Sequence, residues 1–403
     1  MKTLEELYRD ILNGKVRVDQ PLPENYDPAH LDCLLRPKEY APVVPNQSCL
    51  KCESQETEYE RACQNSCVFD AIWEDEEGKL QIDKEMCAGC EACIHACKQG
   101  KLTAGKDVLP AMRSVRERKG NAYALVAPAF FGQFGEMVTA GQLRSAFKAL
   151  GFAGMVEVAL FADILTLKEA LEFDLHIKKE GDFQLTSCCC PVWIAMIRNI
   201  YEELMPHVPA AVSPMIACGR MIKRLYPDAV TVFVGPCLAK KKEAREEDIQ
   251  GAVDYVLTFQ EMRDIFEAAD IHLEALPEDE REHASRAGRL YARTGGVSEA
   301  VASMTQQLQP EKLHVRAEQA EGAKACMEMI QRIKKGETDA NFFEGMGCVG
   351  GCVGGPKTLR KQEEGRACVD NYAEESLYKT PLENPYVRKI LEELGLGTIE
   401  DLI

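Results

Sequence analysis

The sequence has no apolar run of the 18 or more residues that a transmembrane helix needs. Its first residues, MKTLEELYRDILNG, have the pattern of an amphipathic helix rather than of a secretory signal. Positive charge is also scarce, because 48 lysines and arginines stand against 65 aspartates and glutamates, a formal net charge of −17. No long basic face is present to neutralise phosphates. We therefore expect a cytoplasmic protein that binds neither membranes nor nucleic acids.

Cysteine, in contrast, is abundant, since 18 of the 403 residues are cysteines. In a reducing compartment this number indicates metal ligation rather than disulfides. Most of the cysteines are grouped in short motifs. Four stand apart and are expected to be buried apolar thiols: Cys33, Cys218, Cys326 and Cys368.

Residues 1–45 are predicted to form a helix followed by a proline-rich wrap. Thr3 is a candidate N-cap with Glu6 three positions later, and Gly14 is a candidate stop. Six prolines between residues 21 and 45 predict an extended connector rather than a domain.

Residues 46–104 carry eight cysteines: Cys49, Cys52, Cys63, Cys67, Cys87, Cys90, Cys93 and Cys97. The last four have the C-x2-C-x2-C-x3-C spacing of bacterial ferredoxins, and the first four repeat it with about ten inserted residues. The module resembles the two-cluster ferredoxins, which are α+β domains. The resemblance implies one 4Fe-4S cluster on Cys49, Cys52, Cys63 and Cys97, and a second on Cys67, Cys87, Cys90 and Cys93. The alternative is a pair of zinc sites, which usually have two CxxC knuckles separated by a longer spacer.

Residues 121–366 are predicted to form an α/β domain. Apolar runs predict buried parallel strands at Ala122–Ala127, Met155–Leu160, Ala229–Val234 and Val253–Leu257. Amphipathic stretches predict helices at Gly141–Leu150, Leu165–Lys178, Pro191–Met205, Phe259–Ala268 and Ser298–Gln307. In such a domain, sites lie beyond the carboxyl ends of the strands. Residues 367–403 are predicted to form a helical tail.

Three cysteine segments of this domain can together supply four thiolates to one metal cluster: Leu185–Trp193 (LTSCCCPVW), Gly235–Glu243 (GPCLAKKKE) and Phe343–Pro356 (FEGMGCVGGCVGGP). Glycines in the third segment would let the backbone approach a bulky inorganic group. The alternative for that segment alone is a flexible glycine-rich loop with two buried thiols.

The three segments resemble the signature segments of the FeFe (iron-only) hydrogenases, whose typical forms are TSCCPxW, MPCxxKKxE and ExMxCxxGC. The resemblance implies an H-cluster, in which a 4Fe-4S cubane is joined through a cysteine sulfur to a two-iron unit with carbonyl, cyanide and dithiolate ligands. The cofactor carries out the chemistry and the protein holds it. By the resemblance, Cys237 and Cys348 match cubane ligands and Cys352 matches the bridging thiolate.

The first segment has one cysteine more than the family pattern. With Cys190 as the cubane ligand, the segment keeps the family's spacing to its proline and tryptophan; with Cys189 as the ligand, it keeps the spacing to its threonine and serine. An ungapped count from Glu169, which resembles an acidic relay residue of the family, favours Cys189 as the proton donor. Cys190 is then the ligand, and Cys188 is supernumerary.

The resemblance implies further roles for residues around the cluster. Glu169 and Glu172 match the acidic proton relay, Lys240 would donate to a cyanide, and Met346 would pack against the two-iron unit. The cofactor wall would include Pro128, Ala129 and Ser213. Lys241 and Lys242, in contrast, are predicted to belong to a solvated run of charges.

Several positions depart from the family pattern. Pro209 stands where the relay serine is expected, and proline has no proton to pass on. Gly235 replaces a methionine and is expected to remove bulk beside the two-iron site. These departures resemble the sensory members of the family, which implies slow turnover.

Three functions are open at this point. The first is a hydrogenase that interconverts H2 with protons and electrons, uses a ferredoxin-like carrier and obtains its two-iron unit from maturation proteins. The second is an H2 sensor that acts through a separate signalling partner. The third is an iron–sulfur assembly or scaffold protein that lacks the two-iron unit, in which Lys240 and Met346 would have little to do.

Overall fold

The computed structural model describes residues 1–49, 52, 61–187, 189–281, 283–312 and 314–402. Cys188 and most of the segment inserted between Cys52 and Cys63 lie outside the described residues. The α-helices are α1 (Leu4–Leu12), α2 (Pro28–Leu35), α3 (Ala62–Asn65), α4 (Ala92–Ala96), α5 (Val108–Glu117), α6 (Ala140–Ala149), α7 (Ala159–His176), α8 (Pro191–Ile200), α9 (Pro214–Leu225), α10 (Ala239–Glu243), α11 (Phe259–Ala268), α12 (Arg286–Leu290), α13 (Gly296–Leu308), α14 (Ala323–Lys335), α15 (Gln362–Glu374) and α16 (Pro385–Leu394).

The strands are short, as is usual for buried parallel sheets. They are β1 (Val43–Pro45), β2 (Ile72–Glu74), β3 (Leu80–Ile82), β4 (Leu102–Ala104), β5 (Ala122–Val126), β6 (Gly154–Glu157), β7 (Gln184–Leu185), β8 (Val230–Gly235), β9 (Tyr255–Thr258), β10 (Ala317–Glu321) and β11 (Phe342–Met346). Short 3-10 helices lie at Pro37–Glu39, Pro128–Phe130, Glu202–His207, Leu273–Ala275, Gly351–Gly354 and Glu400–Leu402.

Two parallel sheets form the centre of the molecule. One has the strand order β6-β5-β8-β9 and the other has the order β10-β11-β7. The three cysteine segments follow β7, β8 and β11, so each begins where a parallel strand ends. The predicted α/β architecture is confirmed, and it places the three segments where such sheets hold ligands.

Helix α7 is largely buried, since 13 of its 18 residues are buried. Its contacts include α9, α12 and α13, and it is apolar around most of its circumference. The sequence predicted a strand as far as Leu160, but β6 ends at Glu157 and α7 begins at Ala159. The prediction was wrong at this boundary because a short apolar run looks the same in a buried strand and in a buried helix.

The N-terminal region contains more regular structure than predicted. Helix α1 has the expected capping box, in which the Glu6 amide donates to Thr3 Oγ1 (3.1 Å) and the Thr3 amide donates to Glu6 Oε2 (2.8 Å). The connector is not extended throughout, since α2 begins at Pro28 and is capped by Asp27, whose Oδ1 accepts from the Ala29 amide (2.9 Å). Asp followed by Pro is a helix start signal. The surrounding prolines, which favour an extended connector, obscure this helix start in the sequence.

The described residues of the cysteine-rich module form three strands and two short helices. Strand β4 pairs antiparallel with β1, which precedes the module, and β2 pairs antiparallel with β3. Helices α3 and α4 contact each other and carry Cys63 and Cys93. None of the helices in the described part of the chain is both long and apolar enough to span a bilayer.

Strands β10 and β11 were not predicted as strands. Strand β10 lies at the edge of its sheet, and only its Ala320 is buried. Its sequence, AEQAE, therefore shows no apolar pattern typical of a strand. In β11 every residue is buried, including the charged Glu344. Glu344 accepts hydrogen bonds from the amides of Gly295 (2.8 Å) and Ser298 (2.8 Å) at the start of α13, which compensates for its burial.

Candidate metal centre

Four thiols from the three loops lie together between the sheets. Cys190 is the N-cap residue of α8, Cys237 follows β8, and Cys348 and Cys352 flank the turn after β11. Burial raises the pKa of the Cys348 thiol, and the nearby thiols of Cys237, Cys190 and Cys352 raise it further. Burial likewise raises the pKa of Cys352 to about 12. Cys190 and Cys237 pack against one apolar cluster, and Cys237 and Cys352 line one cavity, so these thiols share one buried region.

The sulfurs are nonetheless more widely spaced than the ligands of a single ion. Among the residues that the structure describes, no three His, Cys, Asp or Glu side chains converge closely enough to bind one metal ion. The Cys190 sulfur also accepts a hydrogen bond from the Gly347 amide (3.3 Å).

Glycines bring β11 against α8. A Cβ atom on Gly345 would lie 2.1 Å from Trp193 Cε3, and one on Gly347 would lie 2.5 Å from Val192 Cβ. Both contacts are far closer than van der Waals distance, so only glycine fits. The sequence predicts that glycines of this segment let the backbone approach an inorganic group. At Gly345 and Gly347 they instead let strand β11 and the residue after it approach helix α8.

A cavity of about 50 Å³ is bordered by two of the four thiols, those of Cys237 and Cys352. It is lined by Ala127, Pro128, Val158, Ala162, Cys189, Pro214, Met215, Phe233, Pro236, Cys237, Lys240, Tyr291, Met346 and Cys352. Of the residues predicted to surround the two-iron unit, Cys189, Pro128, Lys240 and Met346 line this cavity. Cys189 lines the cavity together with Cys237 and Cys352, whereas Cys190 does not line it.

Two predicted wall residues lie elsewhere. Ala129 is buried behind the lining, in the 3-10 helix that follows β5. Ser213 caps α9, and its hydroxyl donates to Glu243 Oε1. Glu243 in turn lies 2.6 Å from the Lys240 ammonium. Although burial alone would lower it, Glu243 holds the pKa of Lys240 above its ordinary value, so Lys240 faces the cavity as a cation.

Lys241 does not belong to a solvated run of charges, and that prediction was wrong. Its side chain is fully buried, and Nζ donates to Gly105 O (2.9 Å) and to both carboxylate oxygens of Glu261 (2.9 and 3.1 Å). Lys242 remains partly exposed and pairs with Glu85 (3.0 Å). Lys241 therefore ties the central motif to the linker after the cysteine-rich module.

Glu169 is completely buried next to the loop that carries Cys189. Its Oε1 accepts from the Ser187 amide (3.1 Å) and from the Ser187 hydroxyl, whereas its Oε2 has no hydrogen-bond partner among the residues that the structure describes. Burial raises its pKa to about 7, against the opposing effect of the Ser187 hydrogen bonds. Glu172, one turn further along α7, pairs with Lys168 (2.6 Å).

Tyr291 is a cavity residue that sequence reasoning missed. Its hydroxyl lies 2.8 Å from Thr166 Oγ1, and both residues are buried. No motif marks this tyrosine, because it lies far along the chain from the residues that it faces.

Gly235 does not leave a gap where the family has methionine. A Cβ atom at this position would lie 2.6 Å from Phe233 Cε1, and the Phe233 ring lines the cavity. The expectation that Gly235 removes bulk was therefore wrong, since an aromatic ring two residues earlier occupies the space.

The eight cysteines of the N-terminal module fall into two groups. Cys49, Cys52, Cys63 and Cys97 line one small pocket. In the second group, burial raises the pKa of Cys93, and the thiols of Cys87, Cys90 and Cys67 raise it further. This grouping is the one that the ferredoxin resemblance implied. That the groups hold 4Fe-4S clusters remains a prediction.

The fold and site define a class of α/β protein in which thiols from three strand-end loops converge beside a buried cavity. Residues 120–356 match the family "Iron only hydrogenase large subunit, C-terminal domain". Because this match covers more than half of the chain, the chain belongs to that family. The predicted relationship to the FeFe hydrogenases is confirmed.

The similar proteins include two functional kinds. Iron hydrogenase 1 of Clostridium pasteurianum is 27% identical over 386 residues, covering 71% of this chain and 67% of that protein. Cytosolic iron-sulfur assembly component 3 of Pongo abelii is 24% identical over 347 residues, covering 70% of this chain and 72% of that protein. The solved structure of the FeFe-hydrogenase HydA1 from Chlamydomonas reinhardtii has a TM-score of 0.62 at 22% identity, covering 73% of this chain and 97% of that one.

Proposed function

We propose that this protein interconverts H2 with protons and electrons at an H-cluster held by Cys190, Cys237, Cys348 and Cys352. The observation that carries the proposal is the position of a fifth thiol, Cys189, on the cavity that Cys237 and Cys352 border. The donor set fits the group, because buried thiolates are the ligands of iron–sulfur clusters. When bound, the group supplies an open iron site at which H2 is split or formed.

The chain's own residues would handle the proton. Cys189 can hold a proton at Sγ, since this sulfur faces the cavity. Glu169 can take up and release a proton near neutral pH, because burial raises its pKa to about 7. Ser187, whose hydroxyl donates to Glu169, lies two residues before Cys189 and can serve as the relay hydroxyl that Pro209 cannot be. Lys240 contributes a fixed positive charge at the cavity wall.

Electrons would pass through the N-terminal module to an external ferredoxin-like carrier. Cys67 and Cys90 pack against the same apolar cluster as Cys190 and Cys237. Gly89 lies so close to Ala239 that an added Cβ would be 3.0 Å from the Ala239 Cα atom. The second cysteine group therefore adjoins the candidate H-cluster site, and no cysteine of the first group belongs to this apolar cluster.

The second candidate function is iron–sulfur assembly without the two-iron unit. It is favoured by the similarity to a protein named for cytosolic iron–sulfur assembly. Against it stand Lys240 and Met346, whose side chains line the cavity where the two-iron unit would lie. Infrared spectroscopy of protein treated with the maturation proteins decides between the two functions. Carbonyl and cyanide bands support the hydrogenase, and their absence from fully matured preparations supports assembly.

Replacing Cys189 by serine tests the proton-donor role. We expect Cys189→Ser to keep the infrared bands and iron content and to lower turnover with a reduced dye by about 10²–10⁴-fold, the usual contribution of general acid–base catalysis. Cys368→Ser, which changes a half-buried thiol on α15, is the matched control and should leave turnover unchanged. Unchanged turnover in Cys189→Ser contradicts the assignment. Intact bands with negligible turnover in the unmodified protein would indicate a sensor.

A further inference from the structure

Arg61 is a buried arginine that contacts the first cysteine group. Its Nη1 donates to Cys49 Sγ (3.2 Å) and to Cys49 O (3.0 Å), and its Nη2 donates to Gly78 O (2.9 Å). Its Nε donates to Glu74 Oε1 (2.5 Å). The Arg61 side chain is 5% exposed, whereas that of Glu74 is 36% exposed. The guanidinium is therefore held rigidly against the sulfur by partners on three sides.

The second cysteine group has a different electrostatic environment. Cys67 Sγ accepts from a neutral donor, the Ala71 amide (3.4 Å). Glu91, the residue after Cys90, is buried, and its carboxylate is paired with Lys357 (2.7 Å). A buried cation thus contacts the first group directly, while a paired carboxylate with no net charge lies beside the second.

These environments have different effects on an iron–sulfur cluster. Reduction adds one negative charge to a cluster, and a fixed cation bonded to a ligand sulfur stabilises the reduced form more than the oxidised form. Hydrogen bonds from charged donors are stronger than those from neutral amides. The reduction potential of the first cluster should therefore exceed that of the second.

We propose that Arg61 sets the reduction potential of a cluster on Cys49, Cys52, Cys63 and Cys97 above that of the second cluster. One electron then passes downhill from the reduced second cluster to the oxidised first cluster, without proton transfer or bond breakage. Because the second group adjoins the candidate H-cluster site, this order of potentials makes H2 oxidation, which delivers electrons to an oxidised external carrier, the favoured direction. This inference rests on the proposed function, because it assumes that both groups hold 4Fe-4S clusters.

EPR-monitored redox titration of the full chain, isolated with its iron–sulfur clusters, tests the proposal. The signal of the first cluster is the one lost in Cys52→Ala. In Arg61→Gln we expect its midpoint to fall by about 59 mV, which corresponds to a tenfold change in the ratio of oxidised to reduced cluster at a given potential. The midpoint of the second cluster should stay in place, which makes it an internal control.

Glu74→Gln provides a test with the opposite sign. Removing the partly exposed carboxylate leaves the Arg61 charge less neutralised, so the first midpoint should rise, by less than it falls in Arg61→Gln. A loosened or hydrated site could not produce shifts in both directions. If the Arg61→Gln protein does not retain the first cluster, the midpoint shift in Glu74→Gln still tests the proposal. A rise supports it, and a fall or no change overturns it.

The two kinds of failure are distinguishable. Iron content short of two module clusters in the unmodified protein overturns the proposed relay itself. The role of Arg61 is overturned if both clusters are intact but the midpoint of the first cluster does not rise in Glu74→Gln. It is also overturned if both midpoints shift equally in Arg61→Gln. In either case the proposed electron relay is unaffected.

Discussion

Replacing Glu169 by glutamine removes a buried carboxyl group but keeps the shape of the side chain. Burial raises the pKa of this group from 4.5 to about 7; the Ser187 hydrogen bonds oppose the rise, and the charges of Glu172 and Glu344 add to it. The folded protein therefore holds a proton that the unfolded chain releases between these pH values. The corresponding stabilisation is complete below pH 4.5 and is lost as the pH rises through 7. The difference between the two pKa values corresponds to about 3 kcal/mol.

Glutamine stays neutral at every pH, so Glu169→Gln should be as stable as the unmodified protein in acid and more stable in base. Above pH 7 we expect the variant to gain about 3 kcal/mol. The assay compares unfolding midpoints of the two proteins, with equal iron content, at pH values from about 5 to 9. Turnover of the matured protein should fall in the same variant, since amides do not relay protons. Loss of activity together with a gain in stability is expected of a strained functional residue.

Glu172→Gln is the matched control on the same helix. It breaks a largely buried ion pair with Lys168, so it should cost about 3 kcal/mol and give no gain at high pH. If Glu169→Gln destabilises the protein equally at all pH values, then Glu169 is an ionised, fully partnered carboxylate in the folded state. That result would refute the assignment of Glu169 as a proton relay.

Two further predictions concern packing around the site, and both are checked by thermal or chemical unfolding. Lys241→Met leaves the buried Glu261 carboxylate without its ion-pair partner and should destabilise the protein by about 3–5 kcal/mol. Lys242→Met removes a partly exposed ion pair with Glu85 and should cost no more than about 1 kcal/mol. Equal effects would contradict the burial of Lys241. Gly345→Ala forces a Cβ against the Trp193 ring and should cost about 1–3 kcal/mol with loss of bound iron, whereas Gly154→Ala, with nothing within 4 Å, should be neutral. A tolerated Gly345→Ala would refute the close approach of β11 and α8.

The candidate ligands could be predicted from the sequence because their signals are local. Short-range spacing such as C-x2-C-x2-C-x3-C reflects what one loop must do to surround a cluster, and it needs no knowledge of the fold. The capping box of α1 is local in the same way. The four strands of the larger sheet and five helices of the α/β domain also followed from periodicity, except where the apolar run around Leu160 fitted both kinds of element.

Other features were decided by the tertiary structure alone. The burial of Lys241 depends on Gly105 and Glu261, which come from separate segments of the chain, so a run of three lysines looks solvated until those segments pack. Strand β10 carries no apolar pattern, because its neighbour β11 and not its own side chains holds it in the sheet.

The sequence by itself determined which cysteines are available to hold metal and in which groups, since ligand spacing is a property of one short segment. Only the tertiary structure decided which charges surround those groups. Arg61 reaches the Cys49 sulfur, Glu169 accepts from Ser187 in the Cys189 loop, and Tyr291 lines the cavity with Cys189, all through contacts between segments. Electrostatic effects act through space rather than along the chain, so the tuning of the site follows from packing.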